Sequence, residues 1–176
     1  MSETHPLVDD LKTAFRRLEE TGKLNDVVLA YLFGSQARGH AGPLSDVDIA
    51  ILLVEGMSEA VAFETRLALM AEIGHQLGRN DVEVLVLNHS PLALTYRVLR
   101  DGVLLYCRDE PRRVAFTAQT VSMYLDFKPI LERHERNLLE RARRGELLYG
   151  YNPHHGALER YRQLRERLEE PASADL

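Results

Sequence analysis

Residues 34–48 read Gly-Ser-Gln-Ala-Arg-Gly-His-Ala-Gly-Pro-Leu-Ser-Asp-Val-Asp, and this stretch joins two apolar runs. Gly34-Ser35 ends the first run, and Asp46 and Asp48 open the second. Because side chains alternate along a strand, the two aspartates are predicted to lie on one face. Two carboxylates so close repel each other unless a cation lies between them. The stretch therefore predicts a turn between two strands, with a cation site where the second strand begins.

The same residues predict a ligand for that cation. Mg²⁺ prefers hard oxygen ligands, usually a few carboxylates together with substrate phosphates. A Gly-Ser turn that opens a helix offers backbone N–H groups and a hydroxyl to such phosphates. Together the turn and the aspartates indicate a site for a metal–nucleoside triphosphate. The alternative is a tight turn followed by a solvated acidic strand end.

The motif also resembles a known signature. Gly34-Ser35, the ten-residue gap and Asp46-Val47-Asp48 resemble the DNA polymerase β-like nucleotidyltransferase superfamily. The extension Ala37-Arg38-Gly39 and the Ile-Ala-Ile-Leu-Leu-Val strand that follows are similar to its minimal nucleotidyltransferases, over roughly residues 25–107. The resemblance implies an α+β fold with a mixed β-sheet flanked by helices. It also implies a two-Mg²⁺ transfer of a nucleoside monophosphate, with ATP as the expected donor.

A third carboxylate is expected. Three carboxylates are the usual minimum for two Mg²⁺ ions, because phosphate oxygens and waters complete the coordination of each ion. The available acidic strand is Asp81-Val82-Glu83. In similar minimal nucleotidyltransferases a carboxylate follows a valine and precedes two apolar residues, and Glu83 matches that position. Asp46, Asp48 and Glu83 are therefore the predicted catalytic and metal-binding residues. Asp81 remains the alternative to Glu83, although a role at the strand entry suits it better.

Three residues are predicted to bind the nucleotide. Ser35 would donate its hydroxyl, and Gly34 and Ser35 their N–H groups, to the β- and γ-phosphates. Gly34 allows the backbone to approach closely. Arg38, one helical turn further on, could contact the triphosphate with its guanidinium group. The alternative for Arg38 is a solvated arginine in a surface ion pair.

Hydrophobic periodicity predicts the elements around the motif. Strands are expected near 27–33, 46–54, 81–87 and 103–107. Helices are expected over 8–20, from the N-cap Ser58 to Gly78, and over 91–100.

From Arg112 onward the pattern is helical. Its expected apolar stripe consists of Val114, Ala118, Val121 and Leu125. Pro129 is expected to kink or break this helix near residues 126–128. Residues 150–156 are predicted to form a linker and residues 158–168 a last amphipathic helix.

The length of 176 residues suits one domain with an appendage. We expect a minimal nucleotidyltransferase domain over 1–110, a C-terminal helical arm over 111–170 and a disordered tail over 171–176. The formal net charge of −5 argues against a general nucleic-acid binder. The single cysteine, Cys107, excludes an internal disulfide and fits the cytoplasm. Neither a signal peptide nor a membrane span is expected.

The Arg-rich helix with Tyr124-Leu125-Asp126-Phe127 makes the whole chain resemble the MNT antitoxins of HEPN/MNT toxin–antitoxin pairs. That resemblance implies transfer of AMP from ATP to a tyrosine of a partner HEPN toxin, an RNase, held partly by residues 112–168. No histidine here is followed two residues later by tyrosine, so the chain lacks the HEPN nuclease signature.

Three alternatives remain open. One is a nucleotidyltransferase with a small-molecule acceptor of the aminoglycoside type, which would need a larger acceptor domain. Another is a non-catalytic module that masks a toxin, which would need no metal site. A third, a polymerase-like enzyme on nucleic acid, is disfavoured by the charge.

Overall fold

The structure, a computed structural model, describes residues 6–39, 42 and 45–144. The predicted linker, last helix and tail lie outside the described residues. The chain divides into two compact units, Met1–Phe127 and Lys128–Leu176, and the described part of the second unit is helical. Residues 111–127 of the predicted arm therefore belong to the same unit as the sheet.

Within the described residues, the predicted helices and strands are confirmed, with bounds that shift by a residue or two. The helices are α1 (Pro6–Glu20), α2 (Gly34–Ala37), α3 (Glu59–Leu77), α4 (Leu92–Asp101) and α5 (Glu110–Arg143). The strands are β1 (Val27–Phe33), β2 (Val47–Leu53), β3 (Val82–Val86) and β4 (Val103–Cys107), and a short 3₁₀ turn spans Leu87–His89. None of the described helices combines the length and the apolar composition needed to cross a bilayer.

The four strands form one mixed sheet in the order β3-β2-β1-β4. Strand β1 is antiparallel to β2 and β4, whereas β2 and β3 are parallel and are joined through α3. Since β1 and β2 are central and covered on both faces, almost all of their residues are buried. This burial explains why both runs are apolar throughout rather than alternating.

Helices cover the two sheet faces unequally. Helices α1 and α3 cover one face, where Leu11, Phe15 and Ile73 are fully buried. Helix α4 and the beginning of α5 cover the other face, through Val98 and Phe116. The cover on this second face stops short of the strand ends that carry the predicted site.

Helix α3 begins and ends at the residues expected from the sequence. Ser58 is the N-cap of α3, and its hydroxyl accepts a bond from the Val61 N–H at 3.4 Å. Gly78 ends the same helix in the left-handed region at φ +62°.

Helix α5 departs from the sequence prediction in the face that it buries. The side that packs is not the expected apolar stripe, because Val114 and Leu125 of that stripe are 54% and 55% exposed. The side that packs carries Phe116, Thr120 and Tyr124, and Thr120 is only 4% exposed. Since α4 already occupies this sheet face, α5 needs only a narrow line of contacts, which two aromatic rings and a small threonine supply.

Pro129 does not break the helix near residues 126–128, since α5 continues through it to Arg143; the kink, the other predicted effect of Pro129, stays a prediction. Proline removes one backbone N–H from the helix ladder. On an exposed helix, water can satisfy the carbonyl that loses its partner.

Candidate active site

Three residues form a row across the sheet at the end of β1. Phe33 on β1 is the register partner of Asp48 on β2, and Asp48 is the register partner of Glu83 on β3. Because register partners on adjacent strands share a face, Asp48 and Glu83 project from the same face. Their neighbours two residues on, Ala50 and Leu85, belong to the cluster that packs under α4 and α5. The row therefore lies where that cover ends.

The charges of this row act on one another. Burial, the charge of Glu83 and the charge of Asp46 together raise the pKa of the Asp48 carboxyl group. Asp46 itself is exposed and directly precedes β2. Within the described residues, no three acidic, histidine or cysteine side chains converge closely enough to hold a metal ion as they stand. The three predicted carboxylates are thus electrostatic neighbours rather than a closed ligand cage.

Gly34 lies against the central carboxylate. A Cβ built on Gly34 would lie 2.0 Å from Asp48 Oδ2, and the residue has φ +74°. Only glycine meets both conditions without strain. The close approach leaves Ser35 in the first turn of α2, and Arg38 Nε donates a bond to the Gly34 carbonyl at 3.1 Å. The structure therefore brings Gly34, Ser35 and Arg38 to one end of the carboxylate row.

The backbone before Asp46 is held from two sides. The carbonyl of Ser45 accepts bonds from Gln36 Nε2 at 3.1 Å and from Arg79 Nη2 at 3.0 Å. Gln36 is 8% exposed, on α2, while Arg79 lies between α3 and β3. One carbonyl thus joins the Gly34 turn, the start of β2 and the approach to β3. The sequence does not reveal this role, because a polar residue in a short helix is usually solvated.

Asp81 and Glu83 have different surroundings. Arg79 binds Asp81 with both arms of its guanidinium group, at 2.7 Å from Nε to Oδ1 and 2.5 Å from Nη2 to Oδ2. This pairing lowers the pKa of the Asp81 carboxyl group. Asp81 also precedes β3, and its carbonyl accepts the Val47 N–H at 2.9 Å. Glu83 is exposed and stands in the row with Asp48.

Two clefts open on either side of Phe33. The larger one, about 480 Å³, lies toward β3 and α3, and its lining includes Asp48, Phe63, Arg66, Glu83, His89 and Leu94. Arg66 supports one wall by donating from Nε to the Val84 carbonyl at 2.6 Å. The smaller one, about 420 Å³, lies between Gly34, Arg38 and α4. The site can therefore accept one group on each side of Phe33.

Comparison with known proteins identifies a family and a relative. A family model described as "Polymerase beta, Nucleotidyltransferase" matches residues 17–111. The chain is 27% identical over 124 residues to the protein adenylyltransferase MntA of Shewanella oneidensis, a match that covers 68% of this chain and 85% of that protein.

Solved structures show the same fold. A mutant MntA–HpeT toxin–antitoxin structure aligns with a TM-score of 0.60 at 21% identity, over 73% of this chain and 98% of the other. A toxin–antitoxin structure with AMP-PNP aligns at 0.59 and 23% identity, with the same coverage. A tri-AMPylated Shewanella oneidensis HEPN toxin in complex with MNT antitoxin aligns at 0.55 and 20% identity, again over 73% and 98%.

Gly34→Ala tests the close approach to Asp48. The positive φ alone should cost about 1–2 kcal/mol of unfolding free energy, and the added methyl group should displace the Asp48 carboxylate. Gly39→Ala is the matched control, because Gly39 has φ +69° and nothing lies within 4 Å of the position that a Cβ would take there. Denaturant unfolding should show a clearly larger loss for Gly34→Ala. Equal losses would mean that contact with Asp48 is not the constraint.

Asp48→Asn tests the repulsion in the row. A carboxyl group whose folded pKa is raised weakens folding as pH rises above its unfolded pKa, ~3.9. Without metal the variant should therefore melt about 2 °C above the wild type at pH 7, and the gap should close as pH falls below about 4. Added Mg²⁺ should raise Tm of the wild type only. A variant that melts lower than the wild type at pH 7 without metal would contradict this interpretation.

Proposed function

Since the chain belongs to the polymerase beta nucleotidyltransferase family, we propose that it is an antitoxin that transfers AMP from ATP to a tyrosine of a partner HEPN toxin in the cytoplasm. The observation that carries the proposal is the row of Asp48 and Glu83 beside the Gly34 turn. The row offers acidic ligands and a base, and the turn offers a place for phosphates. Similarity to the adenylyltransferase MntA supports AMP and a protein acceptor.

The donor set fits a divalent cation, since it consists of carboxylate oxygens. Burial, and after it the charges of Glu83 and Asp46, raise the pKa of Asp48. Asp46, Asp48 and Glu83 are the residues that would hold two Mg²⁺ ions. When bound, Mg²⁺ supplies positive charge to the α-phosphoryl group and the departing pyrophosphate, and it acidifies the acceptor hydroxyl.

The order of strands suggests the direction of the reaction. The phosphates would bind at the Gly34-Ser35 turn after β1, whereas Glu83 lies on β3, on the other side of Asp48. Glu83 would therefore take the proton of an acceptor hydroxyl that approaches from the β3 side. The acceptor oxygen bonds to the α-phosphorus while the bond to pyrophosphate breaks on the β1 side. This arrangement gives an in-line displacement.

The larger cleft supports an aromatic acceptor. Phe33, Phe63 and Leu94 provide apolar walls beside Glu83, and Phe63 is 54% exposed at the cleft. Such walls suit the ring of a tyrosine, whose hydroxyl would reach the carboxylates. A polycationic small molecule of the aminoglycoside type would gain less from them. This lining favours a protein tyrosine over the small-molecule alternative.

The outer face of α5 supports a protein partner. Val114 and Leu125, which lie on one side of this helix, are both more than half-exposed, within the predicted partner-binding region 112–168. A pure masking module would need such a face, but it would gain nothing from a repulsive carboxylate row. The row therefore favours the enzyme over the masking module.

Glu83→Gln and Asp81→Asn test the third carboxylate. Glu83→Gln removes a metal ligand and a base while keeping size, so turnover should fall by about 10²–10⁴-fold with ATP binding largely retained. Asp81→Asn should leave turnover within a few-fold, because Asp81 is paired with Arg79. Turnover is measured as pyrophosphate release in the presence of the acceptor. The opposite ranking of the two variants would assign the third carboxylate to Asp81.

The acceptor is tested by co-expressing the full chain with the protein encoded beside its gene. Intact mass spectrometry should show the neighbour heavier by one or more AMP units, and peptide mapping should place them on tyrosine. Co-expression with Asp48→Asn is the control and should leave the neighbour unmodified. A neighbour that binds and is silenced without modification would favour the masking module. No binding at all, with transfer to an aminoglycoside, would favour the small-molecule enzyme.

A further inference from the structure

Helix α4 presents a cluster of positive charge beside the Gly34 turn. The cleft of about 420 Å³ between them is lined by three arginines, Arg38 from the chain just after α2 and Arg97 and Arg100 from α4, together with Asp101. Three guanidinium groups and one carboxylate leave an excess of two positive charges. In a chain of net charge −5, this excess is a local reversal of sign. It lies on the side of Asp48 opposite to Glu83.

Asp101 lies among these arginines. Arg100 donates to it from Nε at 2.7 Å and from Nη2 at 2.6 Å, and Arg97 lies one helical turn earlier on the same side of α4. The bond from Arg100, and beyond it the charges of Arg38 and Arg97, lower the pKa of the Asp101 carboxyl group. The Asp101 carboxylate therefore interacts electrostatically with three guanidinium groups.

Aromatic stacking holds this cluster in place. The Arg100 guanidinium lies 5.6 Å from the centre of the Tyr96 ring, and Tyr96 stacks on Tyr124 of α5 at 3.8 Å between centroids. The stack restricts the motion of Arg100, so less side-chain entropy is lost when it binds an anion. A planar guanidinium fork suits carboxylate and phosphate equally well.

We propose that Arg97 and Arg100 form a second phosphate-binding element for the pyrophosphate end of the triphosphate, and that Asp101 occupies it until the nucleotide displaces it. This inference rests on the proposed function, because it extends the same nucleotide site. Phosphates at Gly34-Ser35 that lead away from Asp48 enter this cleft. The β- and γ-phosphates carry more charge than one carboxylate and therefore replace Asp101 on the arginines. The element selects nucleotides with a polyphosphate tail and is indifferent to a monophosphate.

Calorimetric titration of the full chain with ATP, AMP and pyrophosphate, each in the presence of Mg²⁺, tests the arginines. Arg97→Gln should raise Kd for ATP and pyrophosphate about tenfold, the loss of one charge-assisted bond, and should leave Kd for AMP unchanged. Arg16→Gln is the matched control, since Arg16 is an exposed arginine on α1, which packs on the opposite face of the sheet. Equal ATP affinity in the wild type and Arg97→Gln would overturn the inference. Failure of the wild type to bind ATP would instead overturn the proposed function.

Asp101→Asn tests the displaced carboxylate. Removal of the competing charge should lower Kd for ATP about threefold to tenfold. The fold should tolerate the change, because a carboxylate at a helix C-terminus opposes the helix dipole; a thermal melt checks this. Weaker ATP binding by a variant that melts normally would show that Asp101 positions Arg100 rather than competing for it, and would overturn this part of the inference.

Discussion

The contact between Gly34 and the Asp48 carboxylate is the constraint on which the site depends. A Cβ at residue 34 would meet Asp48 Oδ2 at 2.0 Å, so the turn and the acid occupy the same small space. The antiparallel register of β1 and β2 places Phe33 opposite Asp48 and so delivers Gly34 to the carboxylate. The parallel register of β2 and β3 then adds Glu83 on the far side. A slip of one residue in either pairing would turn Asp48 or Glu83 to the other face.

Acidic and basic side chains lie on different secondary-structure elements around this contact. The acidic side chains of the row come from the β2 and β3 strands, whereas the arginines of the smaller cleft come from α4 and the end of α2. Arg79 pairs with Asp81, which directly precedes β3, and so neutralises that charge beside the row. Burial, and after it the charges of Glu83 and Asp46, raise the pKa of Asp48, so its ionised carboxylate is held at a cost in stability. Such a cost is typical of sites arranged for a ligand rather than for folding.

Helix α5 packs through a narrow line of contacts, because α4 already covers the same face of the sheet. The packed side of α5 uses Phe116, Thr120 and Tyr124, and Tyr124 stacks on the Tyr96 ring that also supports Arg100. Its apolar side chains Val114 and Leu125 are left on the outside. Apolar periodicity locates a helix face that needs cover, but it does not say whether the cover is the chain's own sheet. For the side of α5 that carries Val114 and Leu125, that cover is not the chain's own sheet.

The sequence by itself determined the described helices and strands and the family of this protein. Continuous apolar runs marked the central strands, Ser58 and Gly78 marked the ends of α3, and the spacing from Gly34-Ser35 to Asp46 and Asp48 marked the family, because these signals are local. Tertiary structure alone decided what depends on contacts between distant residues. The hold of Gln36 and Arg79 on the Ser45 carbonyl, the pairing that neutralises Asp81, and the arginines of α4 beside Gly34 arise from strand order and register. No local pattern encodes such contacts, since each partner alone resembles an ordinary solvated polar residue.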